Sequence, residues 1–232
     1  MIKTKMALKL LFVAATTTEA IAISKINGIV EKTGFYKFGD IYIEVLIAGI
    51  GCASTAWSLK HWLDNNQRPD LAINIGIAGS YNNCYKIGDV VMPVEDCFAD
   101  FGVENGDKEC LTVFEAGLLN KDESPFKNGR LKVDLSHYPN LDKVITFVKG
   151  ATVNMATGSS LTFEKIKNKF NPDIETMEGA TFFYICAREK IPFLAVRAIS
   201  NKVGPRNKNN WNIPLALNNL TNRLEDILLL LK

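Results

Sequence analysis

LAINIGIAG, residues 71–79, is the stretch that decides the fold. Nearly all of its residues are apolar, and apolar and polar residues do not alternate along it. A strand of this kind is covered on both faces of its sheet, as in α/β proteins. Four more runs have the same character and are predicted as strands: 8–15, 42–50, 89–94 and 193–200.

Helical patterns lie between these strands. Apolar residues recur at three- and four-residue steps in 52–66, 177–190 and 214–232, so that each segment has one buried face. Alternating strands and helices predict an α/β fold, a three-layer αβα sandwich with a central mixed sheet. The length favours a single domain over 1–232. Residues 103–149 are rich in turn residues and give no clear prediction.

Composition excludes some classes of function. The 27 Lys and Arg residues nearly balance the 25 Asp and Glu residues, which argues against a protein that binds nucleic acid by neutralising phosphates. The five cysteines are scattered without a CxxC pair, and the two histidines lie far apart. We therefore expect reduced thiols, no disulfide framework and no metal site.

The N-terminus mimics a short signal peptide, because basic residues precede an apolar run. Lys9 interrupts that run, however, and residues 8–15 have the length of a buried strand. No run approaches the roughly 20 apolar residues of a membrane span. We therefore expect a cytoplasmic protein without membrane contact.

In α/β sheets, ligands bind at the carboxyl ends of the strands. One such end is ATTTEA (15–20), where Thr16 and Glu19 have the spacing of a helix capping box. Glu19 is equally well placed to act as a general base for water. Another is GIGCAS (49–54), which is either a tight turn or a backbone cradle in which Gly49 binds a ligand hydroxyl or phosphate.

Two further segments contain polar residues at element ends. In ETMEGA (175–180), Glu175 and Glu178 would interact favourably with the dipole of a helix that begins there. Gly179 costs about 1 kcal/mol relative to alanine in a helix, so it indicates close approach by another backbone or a ligand. Asn201 comes directly after the last predicted strand, 193–200, where asparagine is common for local hydrogen bonding.

In this order, three segments resemble the nucleoside phosphorylase superfamily: NIGIAGSYNNCYKIGDVVMP (74–93), MEGA (177–180) and VRAISN (196–201). Its hydrolase branch includes the methylthioadenosine/adenosylhomocysteine nucleosidases. The futalosine hydrolases of menaquinone biosynthesis are the closer resemblance, through 13–20, 152–160 and 197–211. The resemblance implies an N-glycosyl hydrolase without a cofactor, which releases hypoxanthine from futalosine and forms a homodimer or higher homo-oligomer.

The resemblance also implies roles for single residues. Glu19 matches the glutamate that activates the attacking water. Glu178 matches the glutamate that binds the ribose hydroxyls, with Met177 packed beneath the sugar. Ala78 and Gly79 match a turn whose backbone lies against the base.

Asn201 falls where adenosine-type nucleosidases have an aspartate. Hypoxanthine presents the acceptors O6 and N7, to which an amide NH2 donates, whereas an ionised carboxylate is repelled. We therefore interpret Asn201 as a selector of 6-oxopurines. Arg206 is placed to pair with the carboxylate on the 5′ side of futalosine, although a solvated loop explains its segment equally well.

Several alternatives remain open. A methylthioadenosine/adenosylhomocysteine-type or other purine nucleosidase is one of them. A phosphorylase is disfavoured because Asn74 and Ile77 stand where phosphorylases have an arginine and a serine for phosphate. A non-catalytic nucleoside-binding module would not need both Glu19 and Glu178, and an NAD-binding domain would need a better glycine fingerprint.

Overall fold

The computed structural model describes residues 7–105, 109–205 and 207–232. The strands are β1 (Lys9–Ala14), β2 (Ile29–Lys32), β3 (Phe35–Phe38), β4 (Ile41–Ile47), β5 (Leu71–Ser80), β6 (Val90–Asp96), β7 (Gly102–Asn105), β8 (Glu109–Thr112), β9 (Leu131–Lys132), β10 (Thr146–Thr152), β11 (Ile174–Thr176) and β12 (Phe193–Lys202). The helices are α1 (Thr17–Ser24), α2 (Gly51–Asn65), α3 (Ser160–Phe170), α4 (Gly179–Arg188) and α5 (Ile213–Leu231).

A ten-stranded sheet organises the chain, in the order β11-β10-β6-β12-β5-β1-β4-β3-β2, with β9 beside β6. Strands β4, β1, β5 and β12 are parallel neighbours, whereas β6 runs antiparallel to β12. Strand β11 pairs both with β10 and with β5, so one end of the sheet closes on itself. The sheet is mixed, as predicted.

Successive residues of the central strands face two different helical layers. Leu10 and Phe12 of β1 pack in one core with residues of α1 and α5. Leu11 and Val13 pack in a second core with residues of α2 and α4. Because each fully buried side chain of this size stabilises the fold by about 1.5–3 kcal/mol, helices are needed on both faces. The predicted three-layer αβα sandwich is confirmed.

All five predicted strands and all three predicted helices are present, with shifts of a few residues at their ends. One detail was wrong. Glu175 lies in strand β11 and not in a first helical turn, because its backbone pairs with Gly79 of β5 and helix α4 begins only at Gly179. In the segment without a clear prediction, the described residues form the β7–β8 hairpin, β9 and the start of β10.

Among residues 7–105, 109–205 and 207–232, no helix has the length and apolar character needed to cross a membrane.

Candidate active site

The parallel register brings the predicted residues to one edge of the sheet. Strand β1 ends just before the helix that carries Glu19. Ala78 and Gly79 stand near the end of β5, and Asn201 of β12 pairs directly with Gly79. The sheet therefore collects side chains from distant parts of the sequence at its carboxyl edge, where ligands of α/β proteins bind.

The Glu19 carboxylate is fixed by both of its oxygens. Oε2 accepts hydrogen bonds from the backbone N–H of Thr16 at 3.0 Å and from its hydroxyl at 2.9 Å, which completes a capping box. Oε1 accepts from the backbone N–H of Ile77 in β5 at 3.1 Å. A methyl group at Gly76 would come within 2.5 Å of Oε1, so glycine gives the carboxylate room over the strand. Glu19 can therefore complete the capping box and still hold its carboxylate at the strand edge.

Glu178 occupies the N-cap position of α4, but its side chain does not cap that helix. Its Oε1 instead accepts a 2.9 Å hydrogen bond from the backbone N–H of Gly51. Burial raises the pKa of Glu178, and the negative charge of Glu19 raises it further. The Gly51 N–H and the Arg197 guanidinium lower it. The two carboxylates are therefore close enough to interact electrostatically.

The glycine turn at 49–51 connects β4 to α2. Gly49 and Gly51 both have φ of +85°, and a methyl group at Gly49 would lie 2.8 Å from Cβ of Ser54. This is the tight turn that one interpretation predicted. The N–H of Gly51 points to Glu178, so the turn orients a side chain. A contact of Gly49 with a ligand stays a prediction, as does the role of the half-buried Met177.

Arg197 is the residue that the sequence reasoning missed. It lies in β12, is only 1% exposed, and donates to the backbone carbonyl of Asn74 at 3.0 Å and to the Asn74 side-chain oxygen. Asn74 in turn donates to the carbonyl of Val13 at 2.9 Å. Asn74 therefore links three strands and is not open to a ligand. An arginine within the apolar run 193–200 was the available signal, because buried charges are almost always paired.

The buried guanidinium supplies positive charge near the carboxylates. Burial lowers the pKa of Arg197, and the charges of Glu178, Glu19 and Asp96 raise it. Isolated buried charges are costly, so the guanidinium and the carboxylates stabilise one another. The site therefore contains two carboxylates that interact with one fixed cation.

The Asn201 amide is oriented by its neighbours. Its Oδ1 accepts from the Ser200 hydroxyl at 2.8 Å, and its Nδ2 donates to the Lys202 carbonyl at 2.9 Å. An NH2 group has two donors, and the described residues accept only one of them, at the Lys202 carbonyl. A methyl group at Gly79 would lie 3.2 Å from Nδ2, and the glycine leaves that side of the amide uncrowded. Arg206 lies outside the described residues, so its predicted pairing stays a prediction.

Known proteins resemble this chain over most of its length. The sequence profile of the phosphorylase superfamily matches residues 11–231. A 5′-methylthioadenosine/S-adenosylhomocysteine nucleosidase from Buchnera aphidicola is 29% identical over 204 residues, covering 84% of this chain and 82% of the relative. A futalosine hydrolase from Thermus thermophilus is 25% identical over 200 residues, covering 84% of each chain.

Solved structures show the same fold. Futalosine hydrolase from Helicobacter pylori superposes with a TM-score of 0.75 at 16% identity, covering 96% of this chain and 98% of that chain. A methylthioadenosine/adenosylhomocysteine nucleosidase from Colwellia psychrerythraea, in complex with adenine, gives 0.75 at 20% identity, covering 97% and 96%. These relatives and neighbours are nucleosidases, which confirms the predicted enzyme class; both substrate types occur among them.

Proposed function

The chain belongs to the phosphorylase superfamily, and we propose that it hydrolyses the N-glycosidic bond of futalosine and releases hypoxanthine. One observation carries the proposal. The carboxylates of Glu19 and Glu178 lie at the carboxyl edge of the sheet, close enough to interact electrostatically with each other and with the buried Arg197. Binding alone does not need a second carboxylate held ready to accept a proton.

Each carboxylate has a separate task in the reaction. The bond between ribose C1′ and the purine nitrogen breaks, its electron pair leaves with the base, and the sugar becomes an oxocarbenium-like cation, as in glycoside hydrolysis. Glu178 binds the ribose hydroxyls and stabilises this cation by its negative charge. Glu19 accepts a proton from the water whose oxygen bonds to C1′.

Asn201 is the residue that sets the choice of base. Its Nδ2 offers a donor to the O6 or N7 acceptor of hypoxanthine, while Ser200 holds Oδ1 away from the base. An amide does not give up a proton, so Asn201 stabilises the leaving purine by hydrogen bonding alone. The Nδ2 donor matches the O6 acceptor of a 6-oxopurine but not the 6-amino donor of adenine. Because such a mismatch in a closed site lowers rates by powers of ten, a 6-oxopurine is the better substrate.

Water is a better nucleophile than phosphate at this site. The Arg197 guanidinium is occupied by Asn74 and by the Val196 carbonyl, at 3.3 Å. Asn74 itself is buried. A phosphate dianion would also be repelled by Glu19. These features support a hydrolase rather than a phosphorylase.

We also propose that the chain is one domain and assembles as a cytoplasmic homodimer or larger homo-oligomer. On α2, Trp57 is 69% exposed, and Ile50 just before the helix is 60% exposed. Large exposed apolar side chains favour association. Light scattering of the purified protein should give at least twice the mass of 25.7 kDa. The mass of a monomer would refute this part of the proposal.

The decisive experiment measures base release from futalosine, inosine and methylthioadenosine, each with and without phosphate. We expect hypoxanthine from futalosine at the highest kcat/KM, and no acceleration by phosphate. Faster release of adenine from methylthioadenosine would assign the protein to the other nucleosidase type. A strict requirement for phosphate would make it a phosphorylase.

A further inference from the structure

Helix α4 begins without a cap from its own N-cap residue, since the Glu178 side chain bonds to Gly51. The first N–H groups of a helix have no partner within the helix, and leaving them buried and unpaired is costly. Gly179 and Ala180, which begin this helix, are both buried. Their N–H groups therefore need acceptors from elsewhere in the fold.

Two threonines provide those acceptors. The N–H of Gly179 donates to the Thr176 hydroxyl oxygen at 3.2 Å, and the N–H of Ala180 donates to the Thr152 hydroxyl oxygen at 2.7 Å. Thr152 ends β10 and Thr176 ends β11, and the two residues are direct partners in the parallel register. The sheet edge thus caps the helix in place of Glu178.

Asp96 sets the direction of these hydroxyls. It ends the neighbouring strand β6, and its Oδ1 accepts the Thr152 hydroxyl proton at 3.0 Å. Since a hydroxyl has one proton, Thr176 is then the donor in its 3.2 Å contact with Thr152. Both threonine oxygens keep a lone pair for a helix N–H. The Asp96 carboxylate is the last acceptor in this series of hydrogen bonds.

The packing around Asp96 holds it against the helix start. Methyl groups at Gly150 and Gly179 would come within 2.5 Å and 2.3 Å of Oδ2. Among the described residues, Oδ2 has no hydrogen-bond partner, and burial raises the pKa of Asp96 to about 7. A carboxyl protonated on Oδ2 still accepts through Oδ1, so its capping function does not need a negative charge.

We propose that Asp96, Thr152 and Thr176 are positioning residues that cap α4 in place of Glu178 and so leave its carboxylate free for the substrate. The inference rests on the proposed ribose-binding role of Glu178. It separates two roles. The ends of β6, β10 and β11 hold the helix in place, and the N-cap residue Glu178 binds the substrate.

The test uses Thr152→Val, which keeps the side-chain shape and removes the hydroxyl. With the cap lost, Glu178 shifts, and contacts to the ribose hydroxyls weaken. We expect kcat/KM for futalosine to fall roughly tenfold, since one buried hydrogen bond is worth about that factor. Hydrolysis of 2′-deoxyfutalosine should fall much less, because that substrate lacks one of the hydroxyls. The ribo-to-deoxy ratio should therefore fall.

Conservative variants provide the controls. Thr152→Ser retains the hydroxyl, and Asp96→Asn retains the Oδ1 acceptor. Both variants should keep the wild-type ribo-to-deoxy ratio. Thr221→Val loses a buried hydroxyl that donates to the Ala22 carbonyl at 3.0 Å, away from α4. It should lower Tm without changing the ratio. If Thr152→Val does not fold, Thr176→Val makes the same test, because it removes the acceptor of the Gly179 N–H together with the hydroxyl that donates to Thr152.

Two results would overturn the proposal in different ways. A folded Thr152→Val or Thr176→Val protein with the wild-type ratio would show that the threonines do not position Glu178. A wild type that hydrolyses both substrates equally well would refute the ribose role of Glu178 itself.

Discussion

The backbone N–H of Gly51 donates to Oε1 of Glu178 at 2.9 Å, which joins the start of α2 to the start of α4. This bond determines the direction of one carboxylate oxygen of the proposed ribose-binding glutamate. The glycine turn after β4 therefore acts on the site through a backbone N–H and not through a side chain.

Glu178→Ala should lose both affinity and rate. The ribose contacts strengthen as positive charge develops on the sugar, so their loss raises the barrier more than it weakens ground-state binding. We expect kcat/KM for futalosine to fall by about two powers of ten or more, with a smaller rise in KM. Steady-state kinetics check this, and unchanged kcat would contradict it.

Glu19→Gln should nearly abolish turnover while substrate still binds, because an amide does not accept the proton of water. General-base catalysis typically contributes about 10²–10⁴-fold. The matched control is Thr16→Ala, which removes the capping hydroxyl, costs about 1 kcal/mol of stability and keeps the carboxylate on Ile77. If Glu19→Gln retained more than about a tenth of kcat, the glutamate would serve the capping box alone.

Asn201→Asp should lower the preference for 6-oxopurines. One oxygen of the aspartate would replace Nδ2 and face the Lys202 carbonyl, so that oxygen must carry a proton to remain a donor. We expect a loss on hypoxanthine nucleosides of about 1–3 kcal/mol in transition-state binding and a smaller gain on adenine nucleosides. The ratio of the two kcat/KM values measures this. An unchanged ratio would show that Asn201 does not select the base.

Asp96 should make the stability of the fold depend on pH. Burial raises its pKa from 3.8 to about 7, although bonds from Thr152 and the Cys97 N–H and the charges of Arg197 and Arg130 act in the opposite direction. At a pH between the two pKa values, Asp96 is protonated in the folded state and ionised in the unfolded state. Its contribution to the free energy of unfolding therefore falls as pH rises from about 4 to 7.

The comparison of wild type with Asp96→Asn isolates this effect. We expect the wild type to lose stability relative to Asp96→Asn between pH 5 and pH 8, by on the order of a few kcal/mol. Urea unfolding of both proteins across this range measures the difference. A constant difference would show that the carboxyl keeps one protonation state throughout.

The sequence predicted the fold where hydrophobic runs were continuous. Strands β1, β4, β5, β6 and β12 were all recognised in this way. Strand β10 was missed because Lys149 and Gly150 interrupt its apolar pattern, and helix α3 because four charged residues among its eleven interrupt its apolar ones. Periodicity predicts an element only where one face is consistently apolar.

Glu19, Glu178 and Asn201 were predicted to lie at strand ends or helix starts, and they do. Their catalytic and binding roles stay predictions. Arg197 and Asp96 were not singled out, since their importance depends on neighbours that the chain brings from other strands. No local pattern reveals that an arginine in one strand lies close enough to interact with carboxylates from two helix starts.

The position of β12 has a consequence for how the protein is made. This strand is last in the chain order yet lies between β5 and β6 near the middle of the sheet. Synthesis proceeds from the N-terminus at about 5–20 residues per second, so β5 and β6 wait with open edges until residues 193–202 emerge. Open strand edges pair readily with other chains. A chain released before residue 193 would therefore be prone to aggregate, and chaperone demand should last until β12 has emerged.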